Sequence, residues 1–257
     1  MRGVCPSRAG QARGVDVRGI VREALLDALA LVLPVACAGC GADGRELCDA
    51  CRGRLREAVP ARTAVGGIPV FAGAPYGGRV QRAVLALKDG RTGLAAPLAD
   101  LLVAALASAS AHGAVPPGAE LCAVPSTRAA LRRRGYDPVR LVLARAGLRH
   151  ARLLRPARAH RVQKGLARAE RIANLRGVHR ARGPLDGRVV VLVDDVVTTG
   201  ATLADAARAI REAGGVPVAA VALAATPRRS ATPARKPGDN PVAPGYGGPK
   251  GAKETTA

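Results

Sequence analysis

Val189-Val-Val-Leu-Val-Asp-Asp-Val-Val-Thr-Thr-Gly-Ala-Thr202 joins an apolar run, two carboxylates and a short hydroxylated loop in one segment. Val189 to Val193 is a continuous β-branched and leucine run, the pattern of a strand covered on both faces in a parallel sheet. Such strands present their chemistry at the carboxyl end. There Asp194 and Asp195 set two acceptor-only side chains side by side, suited to the vicinal hydroxyls of a ribose and to waters around Mg²⁺. Val197, Thr198, Thr199, Gly200, Ala201 and Thr202 follow, mostly small or hydroxylated, and predict a tight loop with its N–H groups turned inward. Leu203, Ala206, Ala207, Ile210 and Ala213 then begin an amphipathic helix whose N-terminus faces the same point. The segment therefore predicts a site for a ribose 5-phosphate, its phosphate held by loop amides and the helix dipole. A plain strand, turn and capped helix without a ligand is the alternative, and two adjacent acids on a buried strand weigh against it because they are costly unless paired.

The same residues resemble the PRPP-binding motif of the type I phosphoribosyltransferases: a hydrophobic strand, two acids, two variable residues, Thr-Thr-Gly and a small residue. The resemblance implies that Asp194 and Asp195 contact the ribose hydroxyls and that Val197 to Thr202 wrap the 5-phosphate. No Gly-Lys-Ser/Thr of a Walker A loop and no GxGxxG fingerprint accompanies the segment.

At 257 residues the chain has room for one medium domain and a small appendage. A formal net charge of +21 points to anionic partners, nucleic acid or phosphorylated small molecules. With Trp 0, Phe 1 and Tyr 3, the chain lacks the aromatic platform on which single-strand binders usually stack bases. Residues 1–19 and 227–257 are rich in Arg, Gly, Ser, Pro, Lys and Thr without periodicity, and are expected to be a disordered leader and tail. In Ile20 to Ala36, Glu23 and Asp27 interrupt the apolar run, so an amphipathic helix is expected there and not a secretion signal. Leu94 to Ala111 contains Pro97 and Asp100 and falls short of the roughly 20 residues of a bilayer span. No membrane span is expected, and the location expected is the cytoplasm.

Cys37-x2-Cys40-x7-Cys48-x2-Cys51 forms two Cys-x-x-Cys knuckles. Two knuckles supply a tetrahedral Cys₄ shell for a structural Zn²⁺; a pair of disulfides or redox-active dithiols is the other reading. With no signal peptide expected, a reducing compartment favours zinc. Cys122 lies in the apolar run Leu121 to Val124 and is expected in the core, while Cys5 falls in the leader.

Between these landmarks, residues 71 to 88 predict a short strand, a Gly turn and a helix ending at Lys88, and a second helix holds Leu94 to Ala111. Glu120 to Pro125 predicts another strand, followed by Arg132, Arg133 and Arg134, which suit bidentate contacts to pyrophosphate or, equally, a solvated helix end. Gln163 to Arg171 predicts a flap leading into a helix, or a basic surface helix.

In order along the chain, the Cys₄ module, Tyr76-Gly-Gly with Leu87-Lys88, Arg134-Gly135-Tyr136, Gln163-Lys-Gly-Leu166 to Arg171-x-x-Asn174-Leu, and the Asp194-Asp195 loop resemble the ComF family over about residues 20–226. Two departures stand out. The family's Arg-Gly-Phe-Asn-Gln is here Arg134-Gly-Tyr-Asp-Pro138, and Val162-Gln163-Lys164 replaces its Asp-Gln or Thr-Gln before Gly-Leu. The resemblance implies a type I phosphoribosyltransferase fold with a mainly parallel central sheet behind a small Cys₄ zinc module. It also implies PRPP as ligand with Mg²⁺, an unassigned acceptor, and a link to DNA uptake in natural competence. A non-catalytic accessory binding single-stranded DNA or a competence helicase, with a vestigial or regulatory PRPP site, is the alternative. The expected division is 1–19 leader, 20–66 helix plus zinc module, 67–226 phosphoribosyltransferase-like domain and 227–257 tail.

Overall fold

The computed structural model describes residues 35–157 and 177–227. The expected leader, the helix over Ile20 to Ala36 save its last two residues, the flap with Gln163 and Arg171, and the tail beyond Pro227 lie outside the described residues.

The chain is α/β, with a five-stranded, mostly parallel central sheet. Helix α1 (Asp49–Arg56) closes the cysteine segment, and strands β1 (Ala61–Val65) and β2 (Ile68–Pro75) form an antiparallel hairpin. Then come α2 (Gly78–Lys88), a 3-10 turn (Thr92–Leu94), α3 (Ala95–Ala111), β3 (Glu120–Ala123), α4 (Arg128–Arg134) and α5 (Pro138–Arg145). The short strands β4 (Leu154–Pro156) and β5 (His179–Ala181) pair as a separate ribbon. The last unit is β6 (Val189–Val197), α6 (Ala201–Glu212) and β7 (Val216–Ala225), a β-α-β unit whose strands pair in parallel. Strand order is β1-β2-β7-β6-β3, with every pair parallel except β1 with β2.

Burial follows the sequence pattern. Val190 to Val193 are each fully buried because both faces of β6 are covered, as a continuous apolar run requires. Val191 and Val193 join a core shared with α2, α3 and α5, while Val190 and Leu192 join a second core with Leu203, Ala206, Ala207 and Ile210 of α6. Cys122 lies in that second core, as expected.

Three expectations are corrected. The strand near Phe71 spans eight residues and belongs to a hairpin, because Gly66 and Gly67, at φ 58° and 79°, make a two-residue turn between Val65 and its partner Ile68. That turn falls where the sequence reading divides the chain. Strand β6 does not stop at Val193 but continues to Val197, so both acids sit within the strand. The apolar helix, with its 3-10 turn, reaches 20 residues over Thr92–Ala111, long and apolar enough by length and composition to cross a membrane. It packs instead on β2 and β7, burying Leu98, Leu101, Leu102, Ala105 and Ala109, the behaviour of a core helix.

Candidate functional site

Because β2, β7, β6 and β3 run parallel, their carboxyl ends meet at one edge. Backbone bonds stitch that edge: the Tyr76 amide donates to Ala225 O at 2.7 Å, the Thr226 amide to Val197 O at 2.8 Å and the Val124 amide to Val193 O at 2.9 Å.

Asp195 is paired. Lys88, the last residue of α2, places its Nζ 2.9 Å from Asp195 Oδ2, both side chains about one-fifth exposed. Lys88 enters the sequence reading as a helix end and as part of the Leu87-Lys88 segment, without a place at the acids; that place depends on where α2 docks, which local pattern does not encode. Asp194 accepts a bond from the Asp195 amide at 2.8 Å. Burial first, then the charge of Asp195, push its carboxyl up to about 7 against the opposing pull of that amide and of Lys88; the charge of Asp137 adds to the rise. Two adjacent acids with one cation thus hold a proton in the neutral range, a charge state that a polyhydroxyl or cationic partner would change.

The segment Val197 to Thr202 follows directly. Val197 is buried at the strand end, Thr198, Thr199 and Thr202 are exposed, and Gly200 is buried at φ 78° as the residue that opens α6. The Thr199 hydroxyl accepts from the Ala201 amide at 3.3 Å, while the amides of Thr198, Thr199 and Gly200 donate to no group among the described residues. A 12-residue helix starts behind them, so donors and helix dipole converge on one exposed bend. A Cβ at Gly200 would lie 2.4 Å from Val65 Cγ2 and 2.6 Å from its Cγ1, on the β1-β2 hairpin, besides needing a left-handed backbone. Gly200→Ala is therefore expected to lower stability by about 2 kcal/mol or more and to displace the bend, read as a fall in Tm.

Arg132, Arg133 and Arg134 occupy the last turn of α4, which Thr127 caps through its hydroxyl at 3.2 Å from the Ala130 amide and which Gly135 ends at φ 76°. Arg132 and Arg133 are exposed; Arg134 is half-buried, its Nε without a hydrogen-bond partner among the described residues. Cations at a helix end complement its dipole. The next turn reaches the acids. Tyr136 donates its hydroxyl to Leu87 O, beside Lys88, and Asp137, whose charge is felt by Asp194, caps α5 by accepting from the Val139 and Arg140 amides at 3.1 and 3.2 Å.

On the opposite side of α6, Asp205 is buried and accepts from the Gly177 amide at 2.6 Å, the His179 amide at 2.8 Å and Arg208 Nη2 at 2.8 Å, with His179 Nδ1 3.0 Å away. This network, absent from the sequence reading, ties β5 to α6 and serves as a structural anchor.

The four cysteines form a second centre: Cys37, Cys40, Cys48 and Cys51 bring their sulfurs within 4.8 Å of one another. Ala38 donates to Glu46 O at 2.9 Å and Cys37 to Ala42 O at 2.7 Å, folding the two knuckles together. Cys40 Sγ lies 3.7 Å from Cys48 Sγ, close to the roughly 3.8 Å between ligands of a tetrahedral zinc thiolate with Zn–S near 2.3 Å. Burial works against ionisation of Cys37, but amides of Cys48, Cys40 and Gly39 outweigh it and bring the thiol down to about 6. Burial, with hydrogen bonds from the neighbouring thiols, pushes Cys51 up to about 12. The donor set fits a metal such as zinc, and a set of four protein thiolates leaves no open position for catalysis.

Residues 133–239 match the family model described as the phosphoribosyl transferase domain. The matched span takes in α5, β4, β5, β6, α6 and β7, including the acid pair and the bend, and ends past Pro227 where the sequence reading begins the tail. No curated protein matches the chain.

Proposed function

We propose that this chain binds PRPP at the carboxyl edge of its sheet and acts as a phosphoribosyltransferase of the ComF type. One observation carries the reading: an acid pair on a central parallel strand runs directly into a bend at a helix N-terminus whose amides find no acceptor among the described residues, inside the span that matches the phosphoribosyl transferase domain. Asp194 and Asp195 orient the ribose hydroxyls, and Val197 to Thr202 hold the 5-phosphate. The bond from the anomeric carbon to pyrophosphate breaks through an oxocarbenium-like state as the acceptor's lone pair closes on the same carbon. The protein's contribution is placement and electrostatics, with little covalent participation. Mg²⁺ arriving with PRPP would offset charge on the leaving pyrophosphate. Arg132, Arg133 and Arg134 are the candidate contacts to that pyrophosphate, and Gln163 and Arg171 the candidate flap residues.

The cysteine centre holds a structural Zn²⁺, which needs reduced thiols and supports a cytoplasmic location. Functionally the chain divides into this front module over residues 20–66 and the phosphoribosyltransferase-like domain over 67–226, between a leader and a tail. The acceptor is open, and aromatic residues for stacking a base are few. Pyrophosphate release from PRPP and Mg²⁺, assayed against a panel of nucleobases and small amines, tests the enzymatic reading: turnover with one acceptor class is expected, and a panel without turnover would remove it.

A second reading draws on the net charge of +21. Here the chain is an accessory of DNA uptake that binds single strands or a helicase, with PRPP as a regulatory ligand. Salt-dependent binding of single strands that persists without Asp194 and Asp195 supports it; no binding at moderate salt counts against it.

A further inference from the structure

Helix α2 touches both centres. At one side Arg82 donates to the Gly39 carbonyl within the first thiolate turn, its Nε at 2.9 Å and its Nη2 also in contact. Just past its end, Arg91 donates to Ala36 O at 2.5 Å and Glu46 O at 3.0 Å, on either flank of the same module. At its last residue Lys88 holds Asp195 at 2.9 Å, and one residue earlier the Leu87 carbonyl accepts the Tyr136 hydroxyl. Val80, Ala83, Val84 and Leu87 bury the apolar face of α2. Apolar burial fixes which face of a helix is covered but is not directional, so it resists a slide along the axis weakly. Hydrogen bonds and an ion pair at about 3 Å do not tolerate one.

We propose that α2 is a strut carrying the position of the cysteine module to the acid pair, with Arg82 and Tyr136 as positioning residues that set Lys88 against Asp195. The inference rests on the PRPP reading of that pair and adds a means by which the front module supports it. The strut explains why a structural metal module with no open coordination position lies against a transferase-like domain: it holds Lys88, the cation paired with Asp195. Reducing conditions, under which the thiolates stay metal-bound, would keep Lys88 seated.

The test is a double-mutant cycle on the zinc-loaded full chain, with PRPP and Mg²⁺ as the titrated probe. Arg82→Ala and Tyr136→Phe are each expected to weaken PRPP binding about fivefold to tenfold, and Lys88→Met by more. The double variants with Lys88→Met should bind no more weakly than Lys88→Met alone, since the strut acts only through that lysine. Zinc content and Tm measured alongside separate this from unfolding of the module. Losses that multiply in the double variants, or wild-type affinity in both single positioning variants, would overturn the proposal. Amide hydrogen exchange of residues 189–203 in the ligand-free chain separates failure of the strut from failure of the PRPP reading. Faster exchange in Arg82→Ala and Tyr136→Phe supports the strut even if the wild type binds no PRPP, and unchanged exchange overturns it.

Discussion

Asp194→Asn combined with Asp195→Asn is expected to abolish PRPP binding while the chain stays folded. Each carboxylate offers charge-assisted acceptor sites to a ribose hydroxyl, worth about 1.5–3 kcal/mol apiece, so the pair accounts for a loss of roughly a hundredfold or more in affinity. Stability moves differently for the two acids. Asp194 has its carboxyl raised to about 7 from 3.8 by burial and by Asp195. Between those values the folded chain keeps a proton that the unfolded chain releases, so this group's contribution to stability falls as pH rises from about 4 to about 7 and stays unfavourable above. Asn cannot ionise. Asp194→Asn alone should therefore raise Tm at pH 8, by an amount that vanishes near pH 4, measured by calorimetric scans across that range. Asp195→Asn removes the charge that helps to raise Asp194 but also strips Lys88 of its partner, so its gain is smaller. A variant that is more stable yet unable to bind is what a ligand site held at a cost to the fold predicts.

The second large effect is loss of the metal. Chelation, or Cys51→Ser, is expected to unravel the front module, because structural zinc sites supply apparent binding energies on the order of 10 kcal/mol that the apo sequence does not replace. The module's own apolar content is small: Leu47 and Leu55 are buried beside Cys37 and Cys51 at the margin of the larger core. Trypsin reports the change at Arg52, Arg54 and Arg56 of α1, which should be cut much faster after chelation while residues 61–157 persist. Equal protection with and without chelator would mean that apolar packing alone holds the module.

The parallel sheet was legible because Val189 to Val193 and Val216 to Ala225 are apolar runs of strand length, with an amphipathic helix between them and Gly214-Gly215 at its end. The cysteine cluster was legible from spacing alone, since two knuckles need only a short connection to meet. The β1-β2 hairpin carried a readable sign, Gly66-Gly67 between β-branched residues, masked by the expectation of a module boundary there. Lys88 at Asp195, Tyr136 at Leu87 and Asp205 of α6 at His179 were not legible. Each joins elements far apart in sequence, and such pairings follow from helix docking and not from local periodicity. The arginines of α4 read from sequence as phosphate ligands or a helix end, and they occupy the last turn of α4, a position that both readings share.

The central claim concerns a single bend and the acids before it. Isothermal titration of PRPP with Mg²⁺ into the zinc-loaded chain tests it most directly, with ribose 5-phosphate as competitor. Saturable binding of one PRPP per chain, displaced by ribose 5-phosphate and lost in the Asp194→Asn, Asp195→Asn variant, is the predicted result. No heat of binding, or binding of equal strength in that variant, would contradict it.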